Sequence, residues 1–348
     1  MKYKFFTSSE KAWDAMREAA ESAKKSIFLE SFILTDDHKT HKFWQVLKTK
    51  AREGVKVKII VDRAGSFWFG TIDREAFAKA GAEVLIYNRW ISHTHRKLLI
   101  VDEAIGFIGG VNIRGEYADW LDLHLRTTGI FVKRLLSSFS QIYFLSGGRD
   151  EAVTGFRKWR IPKLNESIYQ AKTWLIERWP FHGKRAFINY YKKKCIEAQK
   201  SIRIVTPYFV PQPWLFRSLK KAAKRGVKIE VILPKNTDHA LVQLAHRYIV
   251  KSLSPMISFL MMPSMNHAKV LLVDDREGLV GSNNIDGQSF DFNLEASVVF
   301  QRKDMIGDLR TILDDWKKKS TPYSGADFRW RWYDRLLEFL VGLIYPIL

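Results

Sequence analysis

The sequence has little cysteine and no long apolar segment. Cys195 is the single cysteine among 348 residues, so no internal disulfide can form. No stretch reaches the roughly 20 apolar residues that a membrane-spanning helix needs, and residues 1–7 lack the apolar core of a signal peptide. These absences exclude a disulfide-stapled secreted domain and predict a chain that stays in the reducing cytoplasm.

Acidic residues are also scarce. The 37 Asp and Glu residues stand against 57 Lys and Arg residues, which gives a formal net charge of +20. Such an excess favours a polyanionic partner, either a nucleic acid or an anionic membrane surface. With 46% apolar residues, the composition excludes a disordered chain, and the length predicts about two domains.

What the sequence does contain is an internal repeat. The segment GVKVKIIV at 54–61 returns as GVKIEVIL at 226–233. Gly54 and Gly226 each follow an amphipathic helix pattern, at the position where a helix end favours positive φ. The helix patterns cover 12–23, 43–52, 190–198 and 214–224. Because helices and Val/Ile-rich strands alternate, the pattern predicts a duplicated α/β fold built from βαβ units with buried parallel strands.

A polar motif, H-x-K-x4-D followed by G-G/S-x-N, occurs once in each half at an offset of 172 residues. Its members are His95, Lys97, Asp102 and Asn112, and then His267, Lys269, Asp274 and Asn284. Side chains two apart on a strand share a face, so we expect each His–Lys pair at the exposed start of a strand. A pseudo-twofold axis between the halves would bring both pairs together.

This cluster has the chemistry to cleave a phosphodiester. Lys and Asn side chains hold the single negative charge and stabilise its growth in the transition state. One imidazole attacks phosphorus while the other protonates the leaving alkoxide. The protein supplies the cations, so we expect neither a metal nor another cofactor, and no His, Cys or carboxylate set has the spacing of a structural zinc site.

The doubled motif resembles the phospholipase D superfamily. Four further patterns resemble its bacterial cardiolipin synthase branch, and the similarity runs from about Lys4 to Phe300. These patterns are 120–126 with Gly129, 206–211, 286–289 and 293–295. One departure is Thr94, where such synthases often have Asn.

The resemblance implies a role for each motif residue. One histidine forms a phosphohistidine, which we assign to His95, and His267 is then the acid and base. The matched Lys and Asn residues hold phosphate. Asp122 and Glu295, which lie 27 and 28 residues after their histidines, match the carboxylates that accept a hydrogen bond from each imidazole Nδ1–H. Asp102 and Asp274 belong to the motif, and we interpret them as structural supports.

The resemblance also implies the architecture. We expect two tandem phospholipase D-like α/β/α sandwich domains at 1–150 and 181–320, a basic linker at 151–180, and an amphipathic membrane-binding tail at 321–348. The tail combines Arg, Trp and Leu residues as interfacial helices do, although packing on the protein itself is the alternative. The aromatic loop Phe67–Phe69 has the same two interpretations, insertion into lipid or packing between elements.

We therefore expect a phosphatidyltransferase peripheral to the cytoplasmic face of the membrane. It would cleave phosphatidylglycerol and pass the phosphatidyl group to an alcohol, giving cardiolipin and glycerol when that alcohol is a second phosphatidylglycerol. Its partners would be these anionic phospholipids. The alternatives are a hydrolytic phosphodiesterase or nuclease, for which the charge of +20 marks the nucleic-acid footprint, and an inactive basic membrane- or nucleic-acid-binding protein. The sequence leaves the oligomeric state open.

Overall fold

The computed structural model describes residues 1–158, 172–179, 185–238 and 240–324, which form two sheets flanked by helices. The elements of the first half are, in chain order, β1 (Tyr3–Ser8), α1 (Ser9–Glu21), β2 (Ser26–Ser31), α2 (His41–Arg52), β3 (Lys56–Asp62), α3 (Thr71–Lys79), β4 (Glu83–Tyr87), β5 (Leu98–Val101), β6 (Ile105–Gly109), β7 (Leu121–Thr128), α4 (Ile130–Leu145) and α5 (Glu151–Thr154).

The second half repeats this order. Its elements are β8 (Thr173–Arg178), α6 (Ala186–Glu197), β9 (Ser201–Val205), α7 (Pro213–Lys224), β10 (Lys228–Pro234), α8 (Ala240–Leu253), β11 (Ser258–Met262), β12 (Val270–Val273), β13 (Glu277–Gly281), β14 (Glu295–Phe300), α9 (Lys303–Lys319) and β15 (Thr321–Pro322).

The two sheets have the same strand order, which confirms the duplicated α/β fold. The first runs β1-β7-β6-β5-β2-β3-β4, and the second runs β8-β14-β13-β12-β9-β10-β11 with β15 added at the edge. The predicted helix ends are confirmed as well, because Gly54 has φ 85° and Gly226 has φ 90°. Only glycine adopts this backbone without strain.

The prediction of parallel strands is correct for only part of each sheet. Strands β2, β3 and β4 are parallel, as are β9, β10 and β11. The strand after each motif histidine instead pairs antiparallel on both sides. For the pairing with the strand that follows, the reason lies in the short turn after Val101, where Asp102 and Glu103 have φ of 51° and 59°. A turn of this length closes a hairpin, whereas a parallel connection needs a crossover of a dozen residues or more.

Three apolar cores hold the sheets. One lies between the first sheet and α1, α2 and α3, and another lies between the second sheet and α6, α7 and α8. The third is shared by the inner faces of both sheets and by α4 and α9, through residues such as Phe139 and Leu309. The two halves therefore bury a common core.

The halves are also joined by backbone pairing. Thr94 forms a parallel bridge with Leu294, and Asn266 forms one with Leu121. Each bridge links the segment that precedes a motif histidine to the residue at the start of the last strand in the other half. The pseudo-twofold relation expected from the sequence thus appears as two reciprocal backbone contacts.

The predicted domain boundaries need one correction. Thr173–Arg178, inside the segment 151–180 that the sequence predicts to be a linker, forms β8 and pairs with β14 over its whole length. The second unit therefore begins before residue 181, because its edge strand comes first, as β1 does in the first half. The predicted tail lies outside the described residues from 325 onward. Within the described ranges, no helix has the length and apolar content to cross a membrane.

Candidate active site

Each motif histidine is anchored on the opposite half of the molecule. The backbone N–H of His95 donates to the carbonyl of Leu294 at 3.0 Å, and that of His267 donates to the carbonyl of Leu121 at 2.7 Å. Both imidazoles are buried. The structure thus assembles the two motifs into one cluster, as the repeat predicts.

The two carboxylates are exchanged between the halves. Nδ1 of His95 lies 3.0 Å from Oε1 of Glu295, and Nδ1 of His267 lies 2.9 Å from Oδ2 of Asp122. The sequence spacing groups each carboxylate with the histidine of its own half, and this grouping is wrong. The reciprocal bridges explain the exchange, since Asp122 and Glu295 directly follow the residues that bridge to the opposite histidine segment. With Nδ1–H donated to a carboxylate, each Nε2 keeps a lone pair.

Both motif lysines are buried, whereas the sequence predicts an exposed strand start. Nζ of Lys97 donates to the carbonyl of His95, and Nζ of Lys269 donates to the carbonyl of His267. Burial lowers the pKa of Lys97 well below its usual value and that of Lys269 to about 8. Two ammonium groups held in this way gain from a bound anion, which would favour their charged forms.

The imidazoles are held neutral by the same burial and by the lysines. Burial, and then the charges of Lys97 and Lys269, lower the pKa of His95 well below its usual value. Burial and Lys269 lower the pKa of His267 to about 4, although the hydrogen bond to Asp122 opposes this shift. Because each histidine responds to lysines of both halves, the cluster acts as one electrostatic unit.

The carboxylates differ from each other. Burial would raise the pKa of Asp122, but the hydrogen bonds from His267 and from the backbone N–H of Leu123, together with the charge of Lys269, outweigh it and lower the pKa. Burial raises the pKa of Glu295 to about 8. The glycine at 110 leaves room for Asp122, whose Oδ1 lies only 2.2 Å from where a Cβ would stand. At the matching position Ser282 donates its hydroxyl to Glu295, which opposes the rise in the pKa of Glu295 but does not outweigh burial.

The motif asparagines complete the cluster. Asn112 and Asn284 are buried, and within the described residues the side-chain oxygen of each has no hydrogen-bond partner. Buried polar atoms of this kind are uncommon in folded proteins, so these amides suit a bound polar ligand. The described residues contain no group of three or more His, Cys, Asp or Glu side chains that could hold a metal ion.

The motif aspartates lie at the far ends of β5 and β12, away from the histidines. Asp102 accepts hydrogen bonds from the backbone N–H groups of 24–26, and Asp274 accepts them from those of 199–201. Burial alone would raise the pKa of each carboxyl group, but the hydrogen bonds outweigh this effect and lower both pKa values. The two aspartates fasten the hairpin to the neighbouring strand, which matches their interpretation as supports and removes them from the reacting groups.

The walls around the two histidines differ. Phe32 packs its edge against His95, with ring centroids 4.9 Å apart. On the other side, Trp120 lies 5.5 Å and Tyr208 lies 6.4 Å from the ring of His267. Tyr208 donates its hydroxyl to Asp238 at 2.7 Å. The pocket is thus apolar beside one histidine and aromatic with a polar rim beside the other.

Sequence reasoning missed a buried charge network beside the motif. Arg96 lies between Glu30, at 3.2 Å, and Glu177, at 3.4 Å, and Glu177 also contacts Arg134 at 3.0 Å. Thr94, the departure noted above, donates its hydroxyl to Glu30. The second half has Ala268 where the first has Arg96, so the repeat pattern carries no sign of the network, which ties β2 and α4 to β8.

Comparison with known proteins finds relatives of the kind that the doubled motif indicates. The family model described as "Cardiolipin synthase, PLD-like domain" matches residues 16–120 and 192–316. Cardiolipin synthase 1 of Bacillus anthracis is 28% identical, with 99% of this chain and 72% of that protein aligned. Minor cardiolipin synthase ClsB of Bacillus subtilis (strain 168) is 27% identical, over 94% of this chain and 86% of that protein.

The fold has a close match among solved structures. The phosphatidylserine synthase of Haemophilus influenzae Rd KW20 aligns with a TM-score of 0.75 and 14% identity, over 99% of this chain and 93% of that one. At this identity the likeness concerns the fold alone. The family match covers most of the chain and both copies of the motif, and on that ground the chain belongs to the family of cardiolipin synthase PLD-like domains.

Proposed function

We propose that this protein is an enzyme, a phosphatidyltransferase of the cardiolipin synthase type. The observation that supports this most directly is the pair of buried histidines, each oriented through Nδ1 by a carboxylate from the other half. Two free Nε2 atoms beside two ammonium groups are the groups that a two-step transfer at phosphorus needs. The names of the curated relatives, which are cardiolipin synthases, support the choice of a phosphatidyl group.

In the first step, Nε2 of His95 uses its lone pair to form a bond to phosphorus. The bond from phosphorus to the leaving glycerol oxygen breaks, and His267 gives that oxygen its proton. Lys97 and Lys269, with Asn112 and Asn284, hold the phosphate oxygens as their charge grows. The product is a phosphatidyl group on nitrogen and a free alcohol.

In the second step, His267 takes the proton of an acceptor hydroxyl, whose oxygen attacks phosphorus as the bond to His95 breaks. When donor and acceptor are both phosphatidylglycerol, the products are cardiolipin and glycerol. Burial keeps the acyl-bearing intermediate away from bulk water.

The carboxylates favour this division of roles. His267 must carry a positive charge before it protonates the leaving oxygen and again after it takes the proton of the acceptor hydroxyl, and the ionised Asp122 stabilises this imidazolium. His95 must attack as a neutral ring, and its pKa is held well below the usual value. A bound phosphodiester supplies the negative charge that raises the pKa of His267 from about 4 toward the working range.

We also propose how the chain is organised and where it works. The two sheet units, with their extents near 1–150 and 173–320, form one catalytic body, and residues 321–348 add a contact with the membrane. The formal charge of +20 suits the anionic lipids of a cytoplasmic leaflet. Phosphatidylglycerol and cardiolipin are then both substrates or products and surface partners.

The test is lipid analysis after incubation of the purified protein with phosphatidylglycerol vesicles. We expect cardiolipin and glycerol in equal amounts. Phosphatidic acid without cardiolipin would show a hydrolase, and cleavage of nucleic acid with no lipid turnover would show a nuclease. Either result would overturn the proposal.

A further inference from the structure

The exposed apolar side chains of this protein are concentrated in one short region. Among the described residues, eight large apolar side chains are exposed, and five of them fall between 67 and 91. We call these five the 67–91 patch. Its members are Phe67, Trp68, Ile72, Trp90 and Ile91. Scattered exposed apolar residues are ordinary, but a concentration of aromatic ones marks an interaction site.

The loop that carries Phe67 and Trp68 is fixed rather than loose. Phe69, the third residue of the aromatic run, is buried against Trp44, with ring centroids 5.3 Å apart. Phe67 and Trp68 point outward and contact each other at 4.1 Å between ring centroids. The packing interpretation is therefore confirmed for Phe69, while Phe67 and Trp68 face outward and their insertion into lipid stays a prediction.

One buried side chain, Asp62, binds both this loop and the segment that precedes His95. The carboxylate of Asp62 accepts hydrogen bonds from the backbone N–H groups of Ala64 and Gly65 at the start of the loop. Its other oxygen accepts the backbone N–H of Thr94 at 2.8 Å, one residue before the catalytic histidine. The position of the patch relative to the site is set by this one buried side chain.

A cavity of about 500 Å3 lies beside the patch. Phe67 and Trp90 line it together with Arg63, Arg89 and His93. His93 contacts the ring of Phe32 at 6.3 Å, and that ring packs on His95. The cavity is thus lined by exposed aromatic rings, by arginines and by His93, and the ring of Phe32 separates His93 from the proposed nucleophile.

The loop that carries Trp90 and Ile91 is longer than its counterpart in the second half. In the first half seven residues, 88–94, connect β4 to the motif histidine, and they include Trp90, whose exposed fraction is 100%, and Ile91. In the second half four residues, 263–266, make the same connection. The longer loop breaks the symmetry of the repeat on the side of His95 only.

We propose that the 67–91 patch docks on the surface of a bilayer that contains anionic phospholipid, and that the lipid headgroup enters the site through the cavity beside His93. Trp, Phe and Ile are the side chains that bury at the boundary of headgroups and acyl chains. Arg63 and Arg89 lie in the same cavity, where their charge complements a phosphodiester. The identity of the entering lipid rests on the function proposed above, whereas the docking does not.

The first experiment compares a triple variant of the patch with a double variant that serves as the control. Trp68→Ala/Ile72→Ala/Ile91→Ala, which we call the patch variant, removes the three patch members that do not line the cavity, and Phe144→Ala/Ile196→Ala removes exposed apolar side chains elsewhere. Sedimentation with phosphatidylglycerol vesicles should show binding weakened about tenfold or more by the patch variant and unchanged by the control. Cleavage of a short-chain, water-soluble phosphodiester should be equal in both, which would show that the site is intact.

The second experiment keeps the apolar bulk and so does not depend on a multiple variant that folds. Vesicles with brominated acyl chains quench the fluorescence of inserted tryptophans. Wild type should be quenched more than Trp90→Phe, and the two should bind vesicles equally. Equal quenching of both proteins, or equal vesicle binding by the patch variant, would overturn the proposal. A patch variant that changes only the sedimentation coefficient of the free protein would make the patch a contact between copies and would overturn it as well. If vesicles bind but no lipid is turned over, the proposed function fails and the docking stands.

Discussion

Replacing Asp122 by Asn tests the exchange of carboxylates and the division of roles at once. Asp122 lies 2.9 Å from Nδ1 of His267 and is 1% exposed. The change removes the charge that stabilises an imidazolium on His267. In Ser-His-Asp hydrolases the corresponding change lowers kcat about 10⁴-fold, which is about 5 kcal/mol of barrier. We expect a loss of about 10³- to 10⁴-fold with phosphatidylglycerol.

The same variant should be partly rescued by a better leaving group. A nitrophenolate leaves phosphorus without being protonated, so the first step no longer needs the acid. With a nitrophenyl phosphodiester, the initial burst of nitrophenolate in Asp122→Asn should be within about tenfold of wild type. Glu295→Gln alters the carboxylate that orients His95, and His95 is the nucleophile. The burst of this variant should therefore stay slow with both substrates.

Stopped-flow absorbance measures the burst, and a thermal melt checks the fold, since removing one partner of a buried pair costs roughly 3–5 kcal/mol. The reasoning is refuted if Glu295→Gln is rescued and Asp122→Asn is not. That result would mean that His267 is the nucleophile. Equal behaviour of the two variants would refute separate roles for the two histidines.

The remaining predictions concern the intermediate, the phosphate site, the supports and acid stability. A denaturing quench of labelled substrate at alkaline pH, where a bond from phosphorus to histidine nitrogen survives, should trap phosphate on His95, and His95→Ala should trap none; label on His267 would reverse the roles. Activity should survive EDTA, because lysines and amides hold the phosphate in our mechanism, and a loss restored only by added metal would contradict it. Asp274→Asn should lower the melting temperature, since the amide has one acceptor oxygen and no charge for the N–H groups of 199–201, yet keep kcat within about twofold. Burial lowers the pKa of His246 to about 3, below its unfolded value, so this ring contributes stability that is lost as the pH falls from about 6.5 toward 3. Between pH 7 and 5 the free energy of unfolding, measured by urea titration, should therefore fall by about 2 kcal/mol less in His246→Gln than in wild type.

The sequence predicts the repeated units and the motif because both are local. A helix followed by glycine and by a run of Val and Ile can be recognised within one short segment of the sequence. The His, Lys and Asn residues of the motif recur at one offset between the two halves. Strand direction is less local. The antiparallel pairing of β5 with β6 depends on the three-residue turn 102–104, and two successive acidic residues do not predict the positive φ that Asp102 and Glu103 adopt there.

The exchange of carboxylates could not be read from spacing at all. It depends on which backbone lies opposite Leu121 and Leu294, and these contacts join residues more than 140 positions apart. The network of Arg96 was missed for a similar reason, since Glu177 belongs to a strand that the composition assigns to a linker. Glu177 has no counterpart in the repeat that would have singled it out.

The reciprocal bridges also have a consequence for synthesis of the chain. Ribosomes release a protein from its amino end, and the first half can fold its own sheet while the second is still being made. At that stage His95 has no carboxylate at Nδ1 and no backbone partner, because both come from residues 294 and 295. A nascent chain therefore carries no reactive histidine pair, and phosphodiester cleavage begins only after nearly the last strand has left the ribosome.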